Sequence, residues 1–362
     1  MDLLRYQRNQ AELARRNHGS PNKQQRLSSN RAGQSGLTVE VARRFGSCPL
    51  AKKPETHRKV RPRFPTDPAK DLEKGVTTLA RKTTSLVSTE GSDLPLQDVV
   101  VDTLDIDTLT RIMTCKVRRR FKYLLSLFVS TNAETTYRAK FMLSDADTKQ
   151  LSDNGIIERI NHADIQGFAW PFCVAELKKK GWRRRMILWP QEGNEKVRQL
   201  FHYKPSLNLY NRIKYVSSVW HDGPALRVDL KASFYQIPLS SEMSQHLAFW
   251  AGSRDNGGWY AFKRLPMGHT LSPEIMQLAM SSLMCDERFT MIPRLLRVCS
   301  IDTWLDDARV LAPSLKKLEA TSALIKFRMR TCEATIGEWE IAHDYEFIGI
   351  HWDHRHHMVS NA

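Results

Sequence analysis

Two hydrophobic rhythms run along the chain. Short apolar runs broken by Gly and Pro predict strands, and stretches whose apolar residues return every three or four positions predict helices. Leu104 to Ser130 has the helical spacing and mixes apolar with basic residues. Beyond Leu143 the texture shortens, with strands predicted at Ala225 to Leu230, Trp259 to Phe262 and Ile301 to Leu305, and helices at Pro273 to Met284 and Leu315 to Arg330. This interleaving predicts an α+β fold without internal repeats. The segment Ser272-Pro-Glu reads as a helix start, with Ser272 as N-cap, Pro273 at the first helical position and Glu274 near the positive end of the dipole.

Charge divides the chain in two. Of the 362 residues, 41% are hydrophobic, and the formal net charge is +16. Residues 1–75 hold 17 Lys and Arg against 7 Asp and Glu and are rich in Asn, Gln, Ser and Pro. Residues 1–98 are therefore read as a basic, low-order region and 99–362 as the globular part. A basic arm suits a nucleic-acid grip, a nuclear-import signal or a plain solvated linker. The run Arg118-Arg-Arg-Phe-Lys-Tyr is either a phosphate-facing helix or an exposed basic face. Six dispersed cysteines, with no Cys-x-x-Cys pair, read as reduced thiols. No apolar run approaches the ~20 residues needed to span a bilayer, so an intracellular protein, nuclear or cytoplasmic and not secreted, is expected.

The candidate chemistry is carboxylate chemistry. In Trp304-Leu-Asp-Asp-Ala-Arg-Val-Leu-Ala, Asp306 and Asp307 fall between two apolar runs, the pattern of a β-hairpin with acids at its tip. Adjacent like charges are tolerated at an exposed turn or when a divalent cation neutralises them. In Leu226-Arg-Val-Asp-Leu-Lys-Ala-Ser-Phe-Tyr-Gln-Ile-Pro-Leu, Asp229 ends a strand, which suits either a cation clamp with the hairpin acids or an ordinary turn. Between them, Pro266 and Gly268 form a tight turn in Leu265-Pro-Met-Gly-His-Thr-Leu-Ser-Pro. His351, His354, His356 and His357 cluster with Asp353 and are read as an exposed hydrophilic terminus, in preference to a metal site.

In this order and spacing, the three segments resemble the first palm motif, the template-facing loop and the catalytic hairpin of retroelement reverse transcriptases. The resemblance extends upstream to Leu151-Ser-Asp-Asn-Gly-Ile-Ile-Glu and Phe172-Cys-Val-Ala-Glu-Leu-Lys-Lys-Lys-Gly-Trp-Arg-Arg-Arg-Met-Ile, similar to the fingers, and downstream to Tyr345-Glu-Phe-Ile-Gly-Ile-His-Trp, similar to the primer-grip hairpin. It implies right-hand polymerase fingers and palm, with an antiparallel palm sheet backed by helices, and leans toward retrotransposon enzymes of the DIRS or VIPER type. It also implies an RNA-directed DNA polymerase acting on a template (RNA or DNA), a primer strand and dNTPs. Two Mg²⁺ ions, with Mn²⁺ as an alternative, are assigned to Asp229, Asp306 and Asp307 as metal ligands and catalytic residues. The family pattern places Lys178 and Arg185 on the triphosphate, Phe234 and Tyr235 at the nucleotide with Phe234 excluding a 2′-hydroxyl, and Met267 and Gly268 on the base pair or template.

Some positions depart from the family pattern. Trp304 stands where Tyr is common, Met267 where Gln or Phe is common, and Trp189 and Gln191 where an Asp and an Arg are usual. No Lys is evident near Ile336-Gly-Glu-Trp to act as general acid, and thumb and ribonuclease H regions are expected to be absent. The alternative reading is an inactive or repurposed remnant that binds nucleic acid without catalysis.

Overall fold

The segment that ends in Asp229 folds as β4 (Ala225–Leu230), one of the two inner strands of a four-stranded antiparallel sheet completed by β7 (Ser300–Trp304), β8 (Asp307–Leu311) and β9 (Ile336–Ala342) in the order β7-β8-β4-β9. This computed structural model describes residues 94–129, 143–178, 181–207, 217–290 and 299–361; all but the last few residues of the region 1–98 lie outside it. In β4, Leu226, Val228 and Leu230 are buried on one face of the sheet. Two helices back the sheet: α5 (Ser272–Leu283), buried along nearly its whole length, and α6 (Leu315–Thr331), which buries Leu318, Ile325 and Met329. The architecture is α+β, as the sequence predicts.

The other face of the sheet carries charge in register. Trp304, Asp307, Asp229 and Glu338 form one cross-strand row, and Asp302, Arg309, Arg227 and Glu340 form the next. Beyond them, Ala225 and Leu311 pack against a three-stranded sheet of β10 (Asp344–Phe347), β11 (Ile350–Asp353) and β12 (Met358–Asn361) through Tyr345, Phe347 and Trp352. Arg309 lies in a run that reads as apolar, yet it is fully buried here. Its guanidinium reaches Asp302 at 3.0 Å, Ser218 Oγ at 2.7 Å and Tyr345 Oη at 3.2 Å, and sits 4.0 Å from the centroid of Trp352. Burial of an unpaired guanidinium would be costly, and these partners offset it.

The remaining elements lie outside this sheet. A basic helix, α2 (Cys115–Ser126), follows α1 (Ile106–Ile112), and α3 (Asp145–Asp153) leads into β1 (Ile157–Arg159). The long hairpin of β2 (Trp170–Lys178) and β3 (Gly181–Trp189) runs into α4 (Gln191–Phe201), while β1 joins β5 (Ala248–Ala251) and β6 (Gly258–Phe262) in the order β1-β6-β5. The basic run in α2 divides by role. Arg120 pairs with buried Glu274 of α5 at 2.6 Å and Arg118 hydrogen-bonds carbonyls at the end of α1, whereas Lys116, Arg119 and Lys122 are exposed.

Two local expectations are corrected. Leu271, not Ser272, is the N-cap of α5; helical geometry starts one residue earlier than expected, and Ser272 Oγ is buried without a hydrogen-bond partner. The histidine cluster is a solvated terminus only in part, with His356 exposed. His354 is buried, with Nε2 2.9 Å from Tyr345 Oη, because it packs beside Trp352 where β11 closes the second core.

Candidate active site

The strand-end acid of β4 and the first residue of β8 are direct register partners, Asp229 opposite Asp307. Asp306 occupies the two-residue turn between β7 and β8, so residues 77 positions apart in sequence share one corner of the sheet. The turn is fixed from behind. Gln277 of α5 donates to Thr303 O at 3.1 Å and Thr303 Oγ1 at 3.0 Å, and its Oε1 accepts the N–H of Leu305 at 2.9 Å. Leu305 thereby holds a left-handed φ of 53°. Ser233, in the 3₁₀ turn Ser233–Gln236 that follows β4, donates to Asp306 Oδ2 at 2.8 Å and ties the two acidic segments together.

Burial pushes the Asp307 carboxyl up to about 7; Arg227 opposes the shift, the charges of Asp229 and Asp306 add to it, and the backbone N–H of Ile348 opposes it again. Arg227 stands 3.8 Å from Asp307 Oδ1 and 3.1 Å from Glu338 Oε2. Asp307 Oδ1 is buried without a hydrogen-bond partner, an oxygen suited to a cation. As placed, however, Asp306 turns to Ser233 and Asp307 to Arg227, and among the described residues no three His, Cys, Asp or Glu side chains form a closed metal cage.

The other sequence candidates are spread around this corner. Phe234 is half-buried, one residue beyond Ser233, and packs on the core. Tyr235, expected at the nucleotide, is only 1% exposed; its hydroxyl donates to Met186 O at 3.2 Å and its ring meets Phe262. Tyr235 thus supports β3 from within. Arg185 lies on β3 opposite Val174, about a third exposed. Lys178 ends β2 opposite Gly181, but its side chain lies outside the described part of the structure.

Met267 and Gly268 are anchored to β3 and α4. Leu188 N donates to Met267 O at 2.8 Å, and Asn194 of α4 donates to Gly268 O at 2.9 Å while accepting from Thr270 N at 2.7 Å. Gly268 has φ 113°, and a Cβ there would stand 2.6 Å from Leu188 O. The chain's own strand therefore demands glycine before any ligand is considered. His269 in the same loop is buried, stacks on Phe128 at 4.1 Å and accepts from Leu271 N; burial pulls its pKa down to about 3. The unfolded chain takes up that proton near its ordinary value of about 6.5. Stability should thus fall as pH drops from that value toward 3. Urea midpoints between pH 7 and 4 should decline more steeply for the wild type than for His269→Asn.

Sequence reasoning missed Gln277, Asn194 and Gly337. A Cβ at Gly337 of β9 would stand 2.9 Å from Lys231 N and 3.2 Å from Asp229 Oδ2, so the edge strand reaches the acidic row only as glycine. Glu338, beside it, is the unforeseen carboxylate of that row.

The antiparallel sheet brings the hairpin acids and the opposing strand end together at one corner, the arrangement that the sequence resemblance implies for a polymerase palm. Residues 178–339 match the family described as reverse transcriptase (RNA-dependent DNA polymerase). It is similar to Protein P of Duck hepatitis B virus. The identity is 30% over 131 residues for strain United States/DHBV-16, covering 36% of this chain and 14% of that protein. For strain Germany/DHBV-3 it is 29% over 132 residues, covering 36% and 15%. The matched region is thus about a seventh of the length of these relatives. Among solved structures, the crystal structure of the Prototype Foamy Virus Protease-Reverse Transcriptase CSH mutant matches with a TM-score of 0.45 and 14% identity, over 81% of this chain and 33% of that one. Among the described residues, no helix is long and apolar enough to cross a membrane.

Proposed function

We propose that the chain is an RNA-directed DNA polymerase of a retrotransposon, of the DIRS or VIPER type, acting inside the cell in the nucleus or cytoplasm. It adds deoxynucleotides to a primer 3′-hydroxyl along an RNA or DNA template. The observation that carries this reading is the register pair Asp229 and Asp307, with Asp306 at the adjoining turn.

Asp229 and Asp306 would hold two Mg²⁺ ions, or Mn²⁺ in their place, with Asp307 in support; the buried, unbonded Oδ1 of Asp307 suits that task. Such ions acidify an attacking hydroxyl and neutralise a triphosphate. Arg185 supplies bidentate donors to phosphate oxygens. Phe234 lies beneath the sugar, and the loop at Met267 and Gly268, held by Asn194 and β3, backs the base pair. Ser233 keeps Asp306 in place until the substrate arrives.

Primer extension on an RNA template, with dNTPs and with Mg²⁺ present or withheld, tests the reading. Incorporation only with Mg²⁺ is expected. Template binding without incorporation would favour a remnant that binds nucleic acid and does no chemistry. If Phe234 is the sugar gate, Phe234→Ala should relax discrimination against ribonucleotides by about tenfold, since removing bulk from a pocket shifts selectivity by that order. Unchanged sugar selectivity in competition assays would refute that role.

A further inference from the structure

The three consecutive arginines of the finger hairpin are already paired with carboxylates of their own chain. Arg184 points to the core side, where Asp147 takes it bidentately at 2.8 and 2.9 Å. Arg183 and Arg185 point to the opposite face of β3, and Glu176 of β2 lies between them. Glu176 Oε1 accepts from Arg183 Nε at 2.6 Å, and its Oε2 meets Arg185 Nη2 at 2.6 Å. The acid is 19% exposed, and the two guanidinium side chains are 33% and 37% exposed. One carboxylate thus spans Arg185, read above as a triphosphate contact, and its same-face neighbour Arg183.

We propose that Glu176 is an internal counter-anion that sets the phosphate selectivity of this hairpin, favouring a nucleoside triphosphate over the phosphates of a nucleic-acid strand. The proposal rests on the reading of Arg185 as a triphosphate contact. A strand phosphate carries a single charge, so exchanging the carboxylate for it gains little. A triphosphate carries several charges on neighbouring groups and can engage both guanidinium groups at once, through the carboxylate's positions and through the N–H donors that Glu176 leaves open. Without the acid, the same arginines would be open to any strand phosphate.

The test compares the wild-type chain with Glu176→Gln and Glu176→Asp, using inorganic tripolyphosphate and single-stranded RNA as separate ligands over a salt series. For Glu176→Gln, RNA affinity at low salt should rise about tenfold and the slope of log K against log salt should steepen by about 0.7 for each phosphate newly contacted. Tripolyphosphate affinity should rise no more than about threefold. Glu176→Asp, which keeps the charge, should stay close to wild type, whereas a merely structural role would make both variants behave alike. An unchanged RNA slope in Glu176→Gln, or RNA affinity rising no more than that of tripolyphosphate, would overturn the proposal. These binding readouts do not depend on turnover. A wild type that fails to extend primers would defeat the polymerase reading, while the two affinities would still decide the role of Glu176.

Discussion

Asp229→Asn and Asp306→Asn should each lower nucleotide incorporation by about a thousandfold or more while leaving primer–template affinity within a few-fold of wild type. Metal ligands at a phosphoryl-transfer centre supply several kcal/mol that appear chiefly in the transition state, and each 1.36 kcal/mol is a factor of about ten in rate. Strand affinity comes from cationic and backbone contacts elsewhere, which the substitutions spare. Both variants keep the shape of the side chain, and the carboxamide oxygen introduced by Asp306→Asn can still accept from Ser233, so the turn held by Gln277 should persist. Incorporation is read by single-turnover extension, affinity by titration with labelled duplex, and folding by thermal melting. Retained incorporation in either variant would remove that residue from the machinery. A collapse of melting temperature would show that the acid serves the fold.

Gly268→Ala should be nearly as damaging by another route. At φ 113° the new methyl would be strained whatever its surroundings, and it would meet Leu188 O at 2.6 Å and Ile187 Cγ2 at 2.9 Å. A backbone carbonyl cannot swing aside as a side-chain tip can. The loop must therefore lift from β3, breaking the Leu188–Met267 bond and the paired contacts with Asn194. Strained backbone conformations cost about 1–3 kcal/mol. Displacement of a positioning surface by about 1 Å can cost on the order of 100-fold in rate. The expected result is a raised KM for dNTP together with a lower kcat. Asn194→Ala should shift the same parameters more mildly, and the double variant should fall short of the summed effects because both act on one loop. Wild-type kinetics in Gly268→Ala would show that the loop does not back the nucleotide.

Much of this site is legible along the chain. The run Ala225 to Leu230 folds as the strand its short apolar stretch predicts, and the apolar runs flanking Asp306 and Asp307 become β7 and β8. The pairing of Asp229 with Asp307 follows once both strands enter one sheet. What the sequence hides are partners fixed by tertiary contact. Gln277 looks like any polar residue in an apolar helix, yet it seats a turn 28 residues away, and Asn194 holds a carbonyl 74 residues away. Arg309 reads as an interruption in an apolar run, because nothing local announces that Asp302, Ser218 and Tyr345 will converge on it. His354 misleads in the same way, being polar by composition and buried by its place at the end of β11. Tyr235, expected at the nucleotide, is buried for a reason no local pattern announces, since its hydroxyl meets the carbonyl of Met186 on β3.

The most direct test of the central claim is the anomalous scattering of Mn²⁺ in crystals of the full chain with primer, RNA template and a non-hydrolysable deoxynucleotide. Peaks coordinated by both Asp229 and Asp306 beside the nucleotide's phosphates are predicted. An ordered nucleotide with no peak at these carboxylates, or with the ions held elsewhere, would contradict the account.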